Sequence, residues 1–370
     1  MKQTIGPFHI RTSLVLNNAG YDSNIYYGAT DEPVEDYTFT AGPAFDVYLP
    51  LMKNKVIFYV YESPQYVYYR ETERERAWNN YFQGQAYFVF NRLVASAGIG
   101  RSEAKQRWNT EMDIPVFRKE DSIQGSLLWQ PASRTSFDFA FRTARFDHGE
   151  SDLEDFTYYE KLNREETYFS ITAYRETSPR TRIFLNAESG IFDFADPSTM
   201  RNSKSYGGYG GFEFSPFGKI RGMVKIGYKY FDATSPERKD YRGIVGDSSI
   251  SVRLSNVFAA RAFYSRDVQF SVWYDNAYFL ENRYGAGASL YIAKNIRLDY
   301  DYYQGRNEYP REPGIQYRRD DFRTHSVGVY LRLRKDVGLG VIASRWVRDS
   351  NLDWGDDERD FVGFNLTYDF

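Results

Sequence analysis

Histidine occurs only at positions 9, 148 and 325, and cysteine is absent. Disulfides, Cys-based zinc sites and thiol chemistry are therefore closed to this chain. A hydrolase built on it would need a nucleophile beside a histidine base. His9 has no Ser or Asp partner legible in the sequence, His148 falls in a connection, and His325 falls on the outward parity near a strand end. Two carboxylates come closer to a catalytic arrangement. Asp299 and Asp301 share one face of an extended segment, about 7 Å apart along the backbone. That spacing suits glycoside chemistry or a bound cation, but Arg297 on the same face favours a ladder of salt bridges. The run Gly207-Gly208-Tyr209-Gly210-Gly211 lies inside a strand pattern, where glycine marks a bulge or clearance rather than a phosphate loop. The expectation is a protein that is not an enzyme and that holds no metal and no cofactor.

The elements that carry these residues repeat one design. The last ten residues, Phe361 to Phe370, alternate from Phe364 onward: Phe364, Leu366, Tyr368 and Phe370 point one way, and Asn365, Thr367 and Asp369 the other. A period of two is that of a β-strand with unlike faces. Segments of the same kind are expected near 7–18, 36–49, 55–69, 78–91, 92–103, 119–130, 134–147, 166–176, 180–193, 205–215, 219–232, 241–254, 256–267, 277–292, 295–305, 321–334, 336–348 and 359–370. The connections sort by length. Short ones follow the second, fourth and every later even segment, and long polar ones such as 20–35, 70–77, 104–118 and 148–165 follow the odd segments. An up-and-down barrel with turns on one side and loops on the other has this alternation, and a Greek-key sandwich does not.

Composition agrees with that architecture. The 370 residues are 18% aromatic, with 33 Tyr and 29 Phe, yet mean hydropathy is −0.61. Aromatic belts around a polar lumen reconcile the two values. No run approaches the ~20 apolar residues of a membrane helix. The opening Met1-Lys2-Gln3-Thr4 lacks the apolar stretch of a signal peptide; this argues only weakly against export, since an exported chain of mature length with an added Met1 would begin the same way. A net charge of −3 gives no reason to expect nucleic acid. The fold class expected is all-β: a transmembrane antiparallel up-and-down β-barrel of about 18 strands. It forms a single domain over residues 1–370, in the bacterial outer membrane, with short periplasmic turns, long external loops and lipids as its surroundings.

A barrel of that size encloses an aqueous channel, so the inward parity reads as a pore lining. Its basic residues are Arg11, Arg142, Arg182, Arg221, Lys225, Lys229, Arg253, Arg261, Arg297, Arg332 and Arg334. Its acidic residues are Asp46, Asp138, Glu188, Glu213, Asp299, Asp301 and Asp369. The basic excess lies mostly between Arg182 and Arg334, and rings of Arg or Lys favour anions. Either the pore prefers anions or these pairs merely brace the wall. The inward tyrosines Tyr59, Tyr61, Tyr81, Tyr87, Tyr174, Tyr209, Tyr291, Tyr303 and Tyr330 suit sugar stacking or packing within the lumen. Loops 20–35, 104–118 and 148–165 are candidates for a constriction or for external covers.

The stretch Leu14-Val15-Leu16-Asn17-Asn18-Ala19-Gly20-Tyr21-Asp22-Ser23-Asn24-Ile25-Tyr26 resembles the opening strand of the β-barrel porins associated with bacterial exopolysaccharide export. The strand ending at Phe370 is similar to the signal read by the outer-membrane barrel-assembly machinery, with Phe364, Leu366, Tyr368 and Phe370 as its apolar face. The resemblance implies a conduit for a secreted polysaccharide, anionic or neutral, with the polymer and periplasmic export components as partners. The alternative on the same architecture is a general or substrate-specific diffusion porin for small anionic or neutral solutes.

Overall fold

The computed structural model describes residues 3–27, 32–149, 158–215, 217–273, 276–312, 314–352 and 355–370. Met1 and Lys2 of the expected mature start, 28–31 and 150–157 of two expected long loops, and Pro216 of an expected short turn lie outside the described residues.

The strands are β1 (Gln3–Ile5), β2 (Phe8–Asp22), β3 (Asp36–Leu51), β4 (Val56–Tyr69), β5 (Ala77–Val89), β6 (Leu93–Gln106), β7 (Val116–Ala132), β8 (Thr135–His148), β9 (Arg164–Ser178), β10 (Thr181–Phe194), β11 (Ser203–Phe214), β12 (Ile220–Ala233), β13 (Tyr241–Arg253), β14 (Phe258–Phe270), β15 (Tyr278–Ala293), β16 (Ile296–Glu308), β17 (Arg319–Arg332), β18 (Val337–Ser350) and β19 (Asp357–Asp369). From β2 onward each strand pairs antiparallel with the next, and β19 returns to pair with β2. The eighteen strands β2–β19 thus form a closed antiparallel ring, as the periodicity and loop lengths predict. Closure leaves no ladder of unpaired amides facing lipid.

The seam has two devices. Asn18 has φ 53° and sits in a register shift between Asn17 and Gly20. At Gly20 a Cβ would run into the carbonyl oxygen of Val362, so β2 and β19 approach closely only because that position is glycine. Below the end of β19 the short β1, which the sequence reading did not anticipate, pairs with Phe8–Ile10 and extends the wall.

Apolar side chains point outward. Ile99, Ile123, Ile171, Leu185, Ile226 and Ile244 are all more than half exposed on the isolated chain, as lipid-facing residues are. Aromatic pairs flank this band. Toward the long loops stand Tyr66–Trp78 and Phe39–Tyr68, with centroids 5.0 and 4.8 Å apart. Toward the short turns stand Trp129–Phe137 at 5.7 Å and Tyr368–Phe370 at 4.7 Å. Two girdles about an apolar band are what the two membrane interfaces select.

Among the described residues the larger hydrophobic core lies at the mouth on the long-loop side. Ile25, Tyr26, Met112, Ile114, Tyr159, Leu162 and Val272 come from connections and pack on Phe192, Phe194, Phe231 and Tyr278 of the wall. Periodicity within strands carries no trace of it.

Candidate pore and its constriction

The parity opposite the lipid face turns to the interior, and there charges pair along one strand, with the next strand, or with the strand beyond it. Arg11 meets Asp369 at 3.2 Å, Arg182 meets Glu213 at 2.8 Å, and Lys225 meets Glu188 at 3.1 Å. Lys229 meets Asp267 at 2.7 Å, and Arg142 meets Glu120 at 2.5 Å. Arg261 binds Asp301 through a two-pronged contact, while Arg297 holds Asp299 at 2.9 Å. Asp299 and Asp301 are thus engaged by arginines on both sides, as a salt-bridge ladder requires. Glu120, Asp267, Arg118 and Arg164 were not singled out in the sequence, although inward parity on β7, β9 and β14 marks them equally well.

Aromatic rings join this network. Tyr59 donates to Asp46 at 2.7 Å and Tyr209 to Glu188 at 2.6 Å. Arg182 lies 3.9 Å above the Tyr174 ring, Lys225 3.9 Å above Tyr209, and Arg297 4.5 Å above Tyr330. Tyr330 lies along the wall because of Gly340, where a Cβ would sit 2.9 Å from its ring. Tyr61, Tyr81 and Tyr87 share the inward face of β4 and β5, and Tyr303 and Tyr291 that of β16 and β15. Asp138 occupies the inward face of β8, paired with Leu128 across the ladder.

Of the predicted lining bases that lie on strands, three have no carboxylate partner among the described residues, and these three stand at the short-turn end. Arg221 donates only to the carbonyl of Gly218 at 3.3 Å, Arg253 lies 5.9 Å from the Tyr291 ring, and Arg332 ends β17. Arg334 differs from expectation. The strand stops at Arg332, and Arg334 belongs to the turn that its amide closes on Val337 O at 3.3 Å. Its alternation with Arg332 continues in sequence, but the chain has already left the wall. A cavity of about 380 Å³ opens here, lined by Tyr291, Lys294, Arg297, Tyr330, Arg332, Asn365 and Thr367 with no carboxylate among its lining residues.

The long-loop end is crossed by residues 107–115, between β6 and β7. Thr110 Oγ1 donates to Glu281 Oε1 at 2.9 Å and accepts from Asn307 Nδ2 at 3.0 Å. Those residues sit on β15 and β16, nine strands further round the eighteen-strand ring, so the loop spans the lumen. Glu111 accepts from Ser271 Oγ at 2.7 Å and from the Val272 amide at 2.6 Å. Asp113 pairs with Arg348 of β18 at 2.6 Å, and that guanidinium side chain is 1% exposed. The middle of the three candidate constriction loops therefore folds inward. It separates a chamber of about 270 Å³ beside β7–β12 and β14 from one of about 460 Å³ beside β2–β6 and β18–β19. Of the others, 23–27 also turns inward: Tyr27 packs edge-on against Trp346 at 4.8 Å, with Arg107 stacked 3.2 Å above its ring. The described part of 148–165 adds Tyr159 and Leu162 to the same core.

Burial raises the Glu111 carboxyl above its ordinary range, opposed by the facing Arg318 and by its hydrogen bonds; Tyr309 and Arg201 also face it. A raised value means the docked loop binds the proton better than an undocked one. Docking is then strongest below the ordinary carboxyl range, ~4, and weakens as pH rises through the raised value. Single-channel conductance is expected to fall on acidification, and Glu111→Gln should be low at every pH. Equal pH profiles for the two proteins would contradict this.

The three histidines are far apart. His9 touches Thr4, His148 closes β8 beside Asn163, and His325, within β17 rather than near its end, packs on Tyr300 and Tyr302. Among the described residues no group of three or more His, Asp or Glu side chains is arranged to hold a metal ion.

A closed eighteen-strand wall, a polar lumen and a loop folded across it describe a channel, and family comparison agrees. Residues 128–370 match the family model described as Putative beta-barrel porin 2. The chain belongs to this porin family. No curated protein matches the sequence. Solved structures share the fold at low identity. OccK1 (OpdK) from Pseudomonas aeruginosa is similar with TM-score 0.57 and 10% identity, covering 98% of each chain. OccK2 (OpdF) from the same organism, in complex with glucuronate, gives 0.55 and 11% with the same coverage. The siderophore receptor PirA from Acinetobacter baumannii gives 0.52 and 7%, covering 98% of this chain and 80% of that one. The porin is an outer-membrane β-barrel of the channel and transport class.

Proposed function

We propose that this porin is a diffusion channel for small anionic solutes. The observation that carries the reading is the short-turn mouth, where Arg221, Arg253 and Arg332 have no carboxylate partner among the described residues and the adjoining cavity adds Lys294 without one acidic lining residue. Cations lining a passage raise the local concentration of anions and lower the barrier to their entry. Deeper in the lumen the bases are neutralised by ion pairs, so they brace the wall, and selectivity resides at the rim. The solutes named with two structural relatives, vanillate for OpdK and glucuronate for OccK2, are both carboxylates, which accords with this reading. Lumen tyrosines and arginines together suit an anion that carries a ring.

A polysaccharide exit, the reading implied by the resemblance of residues 14–26, lacks such support. Neither the family match nor the structural relatives concern polymer export, and an extended polymer needs an unbroken path where residues 107–115 cross. The proposed partners are outer-membrane lipid around the apolar band and the barrel-assembly machinery acting on the terminal strand. In a planar bilayer under a salt gradient the reversal potential should mark anion preference. A cation-selective wild-type channel would overturn the reading. Replacing Arg221, Arg253 and Arg332 by Glu should reverse the sign.

A further inference from the structure

The chamber beside β7–β12 and β14 is a different environment from the rim. Its walls include the rings of Trp108, Tyr168, Phe192, Phe231 and Phe270, with Arg118, Arg164 and Lys229 among them. Phe192 and Phe270 meet edge to face at 5.1 Å, and Tyr168 meets Phe192 at 5.5 Å. Arg164 lies 5.1 Å from the Phe270 ring, and Arg118 lies 3.4 Å above Trp108. Its roof includes Trp108, Asn109 and Met112 of the loop that crosses the lumen.

The charges there are unequally satisfied. Arg164 is held by Glu166 at 2.7 Å and Lys229 by Asp267 at 2.7 Å. Arg118 gives Nη2 to Glu120 at 3.0 Å, but its Nε is buried with no acceptor among the described residues. Leaving a buried charged donor unpaired is costly, and an anionic oxygen meeting the 15% of this side chain that stays exposed to the chamber would offset that cost through the shared guanidinium charge. We propose that this chamber is a binding site for a small planar aromatic carboxylate, its ring among the aromatic walls and its carboxylate on Arg118.

This assignment rests on the reading of the protein as an anion channel and deepens it. The chemistry selects on two counts. Ring walls favour a flat aromatic body through edge and face contacts, and a guanidinium favours the planar carboxylate over a neutral group of the same size. About 270 Å³ lies at the small end of ligand pockets, which suits one ring rather than an oligosaccharide. Because Trp108 belongs to both the chamber and the crossing loop, occupancy would also interrupt ion flow.

The test uses the full chain in a planar bilayer with chloride as the current carrier. Benzoate is added and compared with cyclohexanecarboxylate, which has the same charge without a flat ring, and with neutral benzyl alcohol. Benzoate should block the current in discrete events, and the other two should block at least tenfold less. Arg118→Lys, shown to be folded by its β-sheet circular dichroism, should weaken benzoate block by about tenfold or more. Equal block by the two carboxylates, or benzoate block unchanged in Arg118→Lys, would overturn the site. Anion selectivity measured on the same channels separates the two ideas. If selectivity holds and benzoate does not block, only this site falls; if selectivity is absent, the channel reading falls with it.

Discussion

Replacing residues 109–114 by a short Gly-Ser link should raise single-channel conductance several-fold. The segment spans the lumen between opposite walls, and its far attachments are all specific: Thr110 to Glu281 and Asn307, Glu111 to Ser271 and Val272, and Asp113 to Arg348. Without it the interior retains the width of an eighteen-strand ring, which is that of a water-filled channel. A milder change gives an independent reading. Asp113→Ala strands Arg348, whose side chain is 1% exposed, in a buried site without its carboxylate. Removing one partner of a buried pair costs about 3–5 kcal/mol, and here that cost falls mainly on the docked loop. The variant should therefore visit a high-conductance state in bursts, while keeping the folded barrel's heat-modified migration on gels. If both variants conduct as the parent does, the narrowest point lies elsewhere.

Deleting Phe370 should cut the yield of folded protein in the outer membrane sharply while leaving the conductance of surviving channels unchanged. The Phe370 amide donates to Thr12 O at 2.9 Å and extends the β2–β19 seam by one bond. Its ring meets Tyr368 at 4.7 Å on the outer face, away from the lumen. The loss of one bond and one girdle ring is small against the stability of a closed ladder, so the effect belongs to assembly, when β19 must find β2. Comparing membrane yield with conductance per channel separates the cases. Normal yield with altered conductance would place Phe370 in the pore instead, and normal yield with normal conductance would remove its assembly role.

The sequence reached far into the fold because a barrel is built from a local rule repeated. Lipid outside and water inside force a period of two on every strand, and lipid forbids a free edge, so alternation and loop length were enough to count the ring. The expected segment 241–254, for example, is β13 (Tyr241–Arg253). Parity likewise put Arg182, Glu213, Arg11 and Asp369 on one face, and the register of the ladder then set Arg182 opposite Glu213 and Arg11 within reach of Asp369. It failed at Arg334, where alternation ran past the end of β17 into a turn. It was silent on β1, too short to display a period.

What the sequence by itself determined is the wall: an all-β ring, its lipid face, its polar lining and the basic excess of its second half. What only the tertiary structure decided is where the passage narrows and which charges remain free. Thr110 finds Glu281, and Asp113 finds Arg348, across a space that no run of consecutive residues measures. Alternation reports which side of the wall a residue faces. It does not report how far a loop reaches across the enclosed volume, nor whether a base meets an acid there, and those are the two quantities on which the conductance and selectivity of a channel depend.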